Sequence, residues 1–199
     1  KSLGLKVIEN KKKKSLKVSK SKRIKTIAPY SLVKTMRAGI LVLGPLLSKY
    51  KKATTSLPGG CLIGARPVGL HLQTLKKLGM KYNIRKGYIH AYVNNNLTGA
   101  EIKISKISVG TTENAILAAC LAKGKTILRN CAIEPEIKDL VNFINAIGGK
   151  IKWIGKRTLR ICGVSNFKDA KYKVMPDRIE AGTYLIAGAI TQGNLKLTG

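Results

Sequence analysis

One short string returns three times along this chain, and no other feature limits the fold as much. Leu3-Gly4-Leu5-Lys6-Val7 recurs as Leu78-Gly79-Met80-Lys81-Tyr82 and as Ile147-Gly148-Gly149-Lys150-Ile151, at spacings of 75 and 69 residues. Self-similarity at such a period marks one supersecondary unit used repeatedly. Each copy reads as a helix end with a glycine C-cap, followed by a strand. A charged or glycine-bearing turn then leads to a second alternating strand: Ser15 to Val18, Tyr88 to Ala91, Thr158 to Ile161. That order predicts a hairpin in every copy.

A second repeated element lies upstream of each hairpin. Ala115 to Ala122 is small and apolar and leads through Gly124 into Lys125-Thr126-Ile127-Leu128. Tyr184 to Ile190 leads through Gly193 into Asn194-Leu195-Lys196-Leu197, again 69 residues on. Leu32 to Leu47, followed by Thr54 to Leu57, is a looser version. Second helices are predicted from Val68 to Leu78 and from Ile137 to Ile147, because Leu72, Leu75, Leu78 and Val141, Ile144, Ile147 each share one helical face. The unit is therefore helix, strand, helix, strand, strand, about 70 residues long. A βαβαββ-type unit of that length predicts an α/β fold with helices packed on sheets.

The chain has 199 residues and is 44% hydrophobic, enough for a core. It has no run of about 18 apolar residues that would span a membrane. No charged-then-apolar leader opens it, so a cytoplasmic location is expected. It begins with Lys1 at the tail of one copy and stops at Gly199 early in another, as a piece of a longer protein would.

Charge is the other strong signal. Thirty-eight Lys and Arg face nine Asp and Glu, a formal charge of +29, and no acid occurs between Glu9 and Glu101. Such a field suits nucleic acid or a small anionic ligand. Against base reading, the excess is 30 Lys to 8 Arg, and aromatics are only 5% and do not interleave with it. Much of the lysine, Lys11 to Lys14 for instance, falls where a solvated turn is predicted.

The copies diverge most between strand and second helix. Where the later copy runs Arg129 to Pro135, the earlier one has the longer stretch Ser56-Leu57-Pro58-Gly59-Gly60-Cys61-Leu62-Ile63-Gly64-Ala65-Arg66-Pro67. Pro-Gly-Gly gives a pliable backbone around Cys61, and Arg66-Pro67 leads into a helix start with free N–H groups. A thiol near an arginine and a helix N-terminus is placed for a lowered pKa. An ordinary loop with a small residue is the plainer alternative. Cys120, in an apolar helix, and Cys162, in a strand, are read as core, and the four cysteines form no CxxC. Neither a metal site nor a disulfide is expected. His71 and His90 fall on a predicted helix and strand without a catalytic partner in the sequence.

The stretch Leu57 to Val68, with its Pro-Gly-Gly-Cys-x-x-Gly-Ala-Arg-Pro string, resembles the catalytic loop of the bacterial UDP-N-acetylglucosamine enolpyruvyl transferases. Ala28 to Ala38, Lys106 to Gly110, Glu134-Pro135-Glu136 and Pro176 to Glu180 resemble further landmarks of that family, so the likeness spans essentially the whole chain. It implies an inside-out α/β barrel of two lobes, each built from three such units. Residues 1–175 would be most of the catalytic-loop lobe, and 176–199 the beginning of the second lobe.

The resemblance also implies a reaction. Enolpyruvate passes from phosphoenolpyruvate to the 3-hydroxyl of UDP-N-acetylglucosamine and phosphate leaves, the first committed step of peptidoglycan synthesis and so of cell shape and division. Cys61 matches the family's proton donor and fosfomycin target. Arg66 matches a catalytic arginine that reaches the substrates. Arg37, Arg66, Pro67, Val68, Gly69, Leu70, Lys106, Ile107, Ser108 and Val109 match substrate-binding positions. No cofactor or metal is implied, and the partners are the two anionic substrates and the second lobe. Gly69 stands where the family usually has Asp. Further catalytic residues of the family would lie outside this stretch, so the 199 residues alone are expected to be inactive. Three competing readings are the sister class acting on shikimate 3-phosphate, which lacks the cysteine loop, a UDP-sugar-binding paralogue without catalysis, and a basic nucleic-acid-binding protein.

Overall fold

A computed structural model of the chain describes residues 1–20, 23–58 and 68–198. They divide into two compact units, Lys1–Asp169 and Ala170–Gly199.

The first unit opens with the hairpin predicted from the repeat, β1 (Leu5–Asn10) and β2 (Ser15–Lys20), paired antiparallel about Val7 and Val18. Next comes β3 (Ile27–Ala28), then a helical stretch in three pieces where one loose helix was expected. These are α1 (Tyr30–Val33), a 3-10 helix (Arg37–Val42) and α2 (Leu43–Tyr50). No side chain caps the first two, and Pro45 is accommodated in the first turn of α2, where its missing N–H costs nothing. Leu43, Leu46 and Leu47, at helical spacing, are the buried face of α2. The copy continues with β4 (Lys52–Ser56), α3 (Gly69–Lys77) and the hairpin β5 (Lys81–Arg85) and β6 (Tyr88–Tyr92). The next copy repeats it: β7 (Glu101–Lys103), α4 (Val109–Ala119), β8 (Lys125–Arg129), α5 (Pro135–Ala146), β9 (Lys150–Gly155) and β10 (Thr158–Cys162).

The two copies build the same sheet. One has the strand order β3-β4-β6-β5 and the other β7-β8-β10-β9. In each, the first pair is parallel across a helical crossover and the others are antiparallel. The opening strands β3 and β7 complete the βαβαββ unit expected from the repeat, ahead of the five elements read from the sequence pattern. Gly4, Gly79 and Gly148, the repeated glycines, all have φ between +89° and +99°. An L side chain resists that conformation, so glycine is the residue that can end the helix and turn the chain into the strand.

Alternation puts one face of each sheet inward. Ile89 and Ala91 of β6, Thr126 and Leu128 of β8, and Leu159 and Ile161 of β10 are buried, while their neighbours in sequence are more exposed. The helices lie inside. Thr111, Thr112, Asn114, Ala115, Ile116, Ala118 and Ala119 of α4 are all buried, which is burial around the whole helix. Small residues on α4 let α2 and α3 pack closely against it. Helices in the middle with sheets outside is the inside-out α/β arrangement, and among the described residues no sheet closes into a barrel.

The second unit contains α6 (Arg178–Ile190), capped by Asp177, whose carboxylate accepts from the N–H groups of Ile179 and Glu180. The strand expected from Asn194 to Leu197 is not formed. That segment has no strand to pair with among the described residues, and an alternating pattern alone does not hold a strand in water. No helix among the described residues is long and apolar enough to cross a membrane.

Candidate functional site

Three helix starts meet at one cleft of the first unit. The 3-10 helix brings Arg37, its first residue. The N-terminal end of α3 brings Val68 and Leu70, and the segment ahead of α4 brings Lys106, Ile107, Ser108 and Val109. These residues line a single cavity of about 700 Å³ together with His71, Gly110, Thr111 and Glu113. Every described residue assigned to substrate binding from the sequence, except Gly69, is part of this lining. Gly69 has no side chain and sits between Val68 and Leu70 as the first residue of α3. Cys61, Arg66 and Pro67 lie outside the described residues.

The local chemistry of the cleft follows from its helix ends. Ser108 caps α4, its hydroxyl accepting the N–H of Thr111 at 3.3 Å. The Thr112 hydroxyl donates to the Ser108 carbonyl at 2.8 Å and accepts the Ala132 N–H at 3.0 Å, which ties the turn to the next loop. Neither α3 nor α4 has an acid in its first turn, so the positive ends of two helix dipoles act on the cleft without a counter-charge of their own. Arg37 and Lys106 add full positive charges. Such a set of donors fits a phosphate or pyrophosphate group. Among the described residues the buried Thr111 hydroxyl has no hydrogen-bond partner, an arrangement that is costly unless something else supplies one.

Two titratable groups of the lining were not singled out from the sequence as site residues. Burial raises the Glu113 carboxyl above its usual range, and the nearby Glu136 raises it further. His71 is driven the other way, to about 4, first by burial and then by Arg37. It is a neutral imidazole at physiological pH, 3.2 Å through Nδ1 from the side-chain amide of Asn114. The sequence offered a signal for neither. His71 takes its setting from Asn114, 43 residues away, and Glu113 part of its own from Glu136.

Cys120 is buried as expected, whereas Cys162, expected in the core, is only partly so. Cys120 and Cys131 are buried, and burial raises their thiols to about 12 and about 11. Cys162 ends β10, half-buried. His90 on β6 meets Thr54 at 3.4 Å on an exposed sheet face, away from the cleft. A second cavity, about 730 Å³, is walled mainly by apolar groups such as Leu3, Leu41, Leu46, Leu117, Phe143 and Phe167. It has few polar groups to orient a ligand, so the Arg37–Lys106 cleft is the better candidate for chemistry.

Comparison with known proteins shows the family and agrees with the fold. The family model described as EPSP synthase (3-phosphoshikimate 1-carboxyvinyltransferase) matches residues 1–199. A protein of Pelagibacter ubique named UDP-N-acetylglucosamine 1-carboxyvinyltransferase is 66% identical over 199 residues, which is 100% of this chain and 47% of that protein. One of the same name from Pseudoalteromonas atlantica is 57% identical over 169 residues, 85% of this chain and 40% of that protein. The chain thus spans about half the length of the curated relatives it matches, or less. Among solved structures, the enolpyruvyl transferase NikO from Streptomyces tendae has a TM-score of 0.78 at 22% identity, covering 94% of this chain and 44% of that one. EPSP synthase from Acinetobacter baumannii has a TM-score of 0.69 at 17% identity, covering 94% and 42%. At those identities the two structures speak to the fold alone.

Proposed function

Given that the chain belongs to the EPSP synthase family of enolpyruvyl transferases, we propose that it is part of an enzyme that moves enolpyruvate from phosphoenolpyruvate to the 3-hydroxyl of UDP-N-acetylglucosamine in the cytoplasm, opening peptidoglycan synthesis. The observation that carries this reading is the cleft itself. Arg37, Val68 with Leu70, and Lys106 to Val109, three separate stretches assigned to substrate binding, line one cavity. The name borne by the relatives supports UDP-N-acetylglucosamine over shikimate 3-phosphate as acceptor.

The chemistry makes two demands. A proton must reach the methylene carbon of phosphoenolpyruvate as the sugar hydroxyl gives up its own and bonds to the adjacent carbon. A proton must then leave the resulting methyl group as phosphate, held by positive charge, departs and the enol double bond reforms. Cys61 is proposed for the proton and Arg66 for the phosphate, which a guanidinium grips through paired hydrogen bonds. The helix starts, with Arg37 and Lys106, would hold the UDP-sugar. Its diphosphate belongs at the capped end of α4, where Ser108, Val109 and the buried Thr111 hydroxyl converge. Residues 1–175 are proposed as most of one lobe and 176–199 as the first turn of another, with the reaction site completed between lobes.

The test is intact mass after fosfomycin treatment of the full-length protein, with and without UDP-N-acetylglucosamine. A single adduct, faster with the sugar nucleotide and absent from Cys61→Ser, is expected. An adduct that forms equally in Cys61→Ser, or no adduct together with no transfer of enolpyruvate, would sink the reading.

A further inference from the structure

Asn114 is fully buried on α4 at the point where the 3-10 helix, α2 and α3 converge. Its side-chain oxygen accepts the Gly44 N–H at 2.9 Å, and its NH₂ group donates to the Ile40 carbonyl at 3.2 Å. A backbone N–H can only donate and a carbonyl can only accept, so these two bonds fix which way the amide points. The same NH₂ lies 3.2 Å from His71 Nδ1. Nδ1 must then present its lone pair, and a neutral imidazole with a free Nδ1 carries its proton on Nε2. The edge of the ring bearing Nε2 lies against the first turn of α4. A methyl group built on Gly110 would stand 3.3 Å from His71 Cε1 and 3.6 Å from Nε2.

One amide thus ties together all three walls of the cleft. Ile40 sits one turn beyond Arg37, His71 follows Leu70 on α3, and Asn114 is on the helix whose start includes Ser108 and Thr111. We propose that Asn114 is a positioning residue for the nucleotide half of the cleft, acting through His71, which it holds as the Nε2–H tautomer against the start of α4. The inference rests on the UDP-sugar reading above. Misplacing one wall by about 1 Å is enough to weaken a site built from convergent donors, and among the described residues Arg37 is a charged group that acts on His71.

The experiment uses the full-length protein and two variants. His71→Asn puts a carbonyl oxygen near the place of Nδ1 and so keeps an acceptor for Asn114, whereas His71→Leu removes it. For His71→Leu we expect KM for UDP-N-acetylglucosamine to rise about tenfold, the scale of one buried hydrogen bond, with kcat within about twofold. His71→Asn should recover most of that loss. A fall in kcat with unchanged KM, as a smaller folded fraction would give, overturns the positioning role, and so do equal KM values for the two variants. Nitrogen NMR of the imidazole in the unaltered protein is independent of whether the variants fold: a protonated Nε2 is expected, and a protonated Nδ1 refutes the tautomer. If the unaltered protein neither binds nor turns over UDP-N-acetylglucosamine, the functional reading and this proposal fall together. An active protein whose KM ignores His71 removes the positioning role alone.

Discussion

Gly44 and Asn114, 70 residues apart, lie so close that no side chain fits between them. The Gly44 N–H donates to the Asn114 amide oxygen at 2.9 Å, and a Cβ on Gly44 would come within 2.7 Å of both the backbone and side-chain oxygens of Asn114. The approach of α2 to α4 is set there. Gly44→Ala should push the helices apart and break the buried hydrogen bond, lowering stability by about 2 kcal/mol. Thermal unfolding checks this, and a melting temperature within a degree of the parent's would contradict it.

Acid sensitivity should have a histidine component. The folded-state pKa of His71 is depressed to about 4 from 6.5, so the unfolded chain binds a proton that the native protein does not. The stability contributed by the neutral ring is present above about pH 6.5 and is lost as pH falls toward 4, on the order of 3 kcal/mol in all. Denaturant midpoints measured between pH 4 and pH 7 should therefore slope less steeply in His71→Asn. Parallel slopes would show that His71 titrates normally.

Restoring the acid usual at position 69 should be tolerated. A Cβ on Gly69 meets nothing within 4 Å, and the residue opens α3, where a carboxylate complements the helix dipole and glycine is a poor helix former. Gly69→Asp is expected to add about 0.5 kcal/mol to stability, read by thermal unfolding. A lower melting temperature than the parent's would mean that α3 needs glycine at its start.

Thiol chemistry should be strongly site-selective. With thiols raised to about 12 and about 11 and no access to solvent, Cys120 and Cys131 should stay unmodified by iodoacetamide at pH 8 in the native protein. Cys61 should react first. Time-resolved peptide mapping gives the order, and early labelling of Cys120 would indicate that the helical core opens readily.

Periodic features were the legible part of this chain. The glycines at 4, 79 and 148 announced positive φ because a helix must stop and reverse at those points, and three hairpins and two helices followed from apolar spacing. Opening strands β3 and β7 were implied by the βαβαββ reading but carried no pattern of their own. They have two and three residues, too few to alternate visibly, and each is held by parallel pairing to a strand more than 20 residues away. The division of residues 30–50 into three helical pieces was hidden for another reason: their apolar spacing suits one helix, and only packing against α4 breaks it. The cleft-lining residues named from the sequence came from the family resemblance, and His71 and Glu113 of the lining, with Asn114 behind it, were not among them. A buried amide that joins three elements leaves no periodic trace.

Each four-stranded sheet draws all of its strands from one stretch of chain, residues 27–92 for the first and 101–162 for the second. Neither waits for a distant strand, so the loop-closure entropy of forming a sheet is limited to the length of its own unit. During synthesis the first sheet can be complete before the residues of the second have been made. What joins them is the docking of α2 and α3 onto α4. Hydrogen exchange should accordingly find the two sheets behaving as separate cooperative blocks, with the helical seam between them as the last structure to form and the first to loosen.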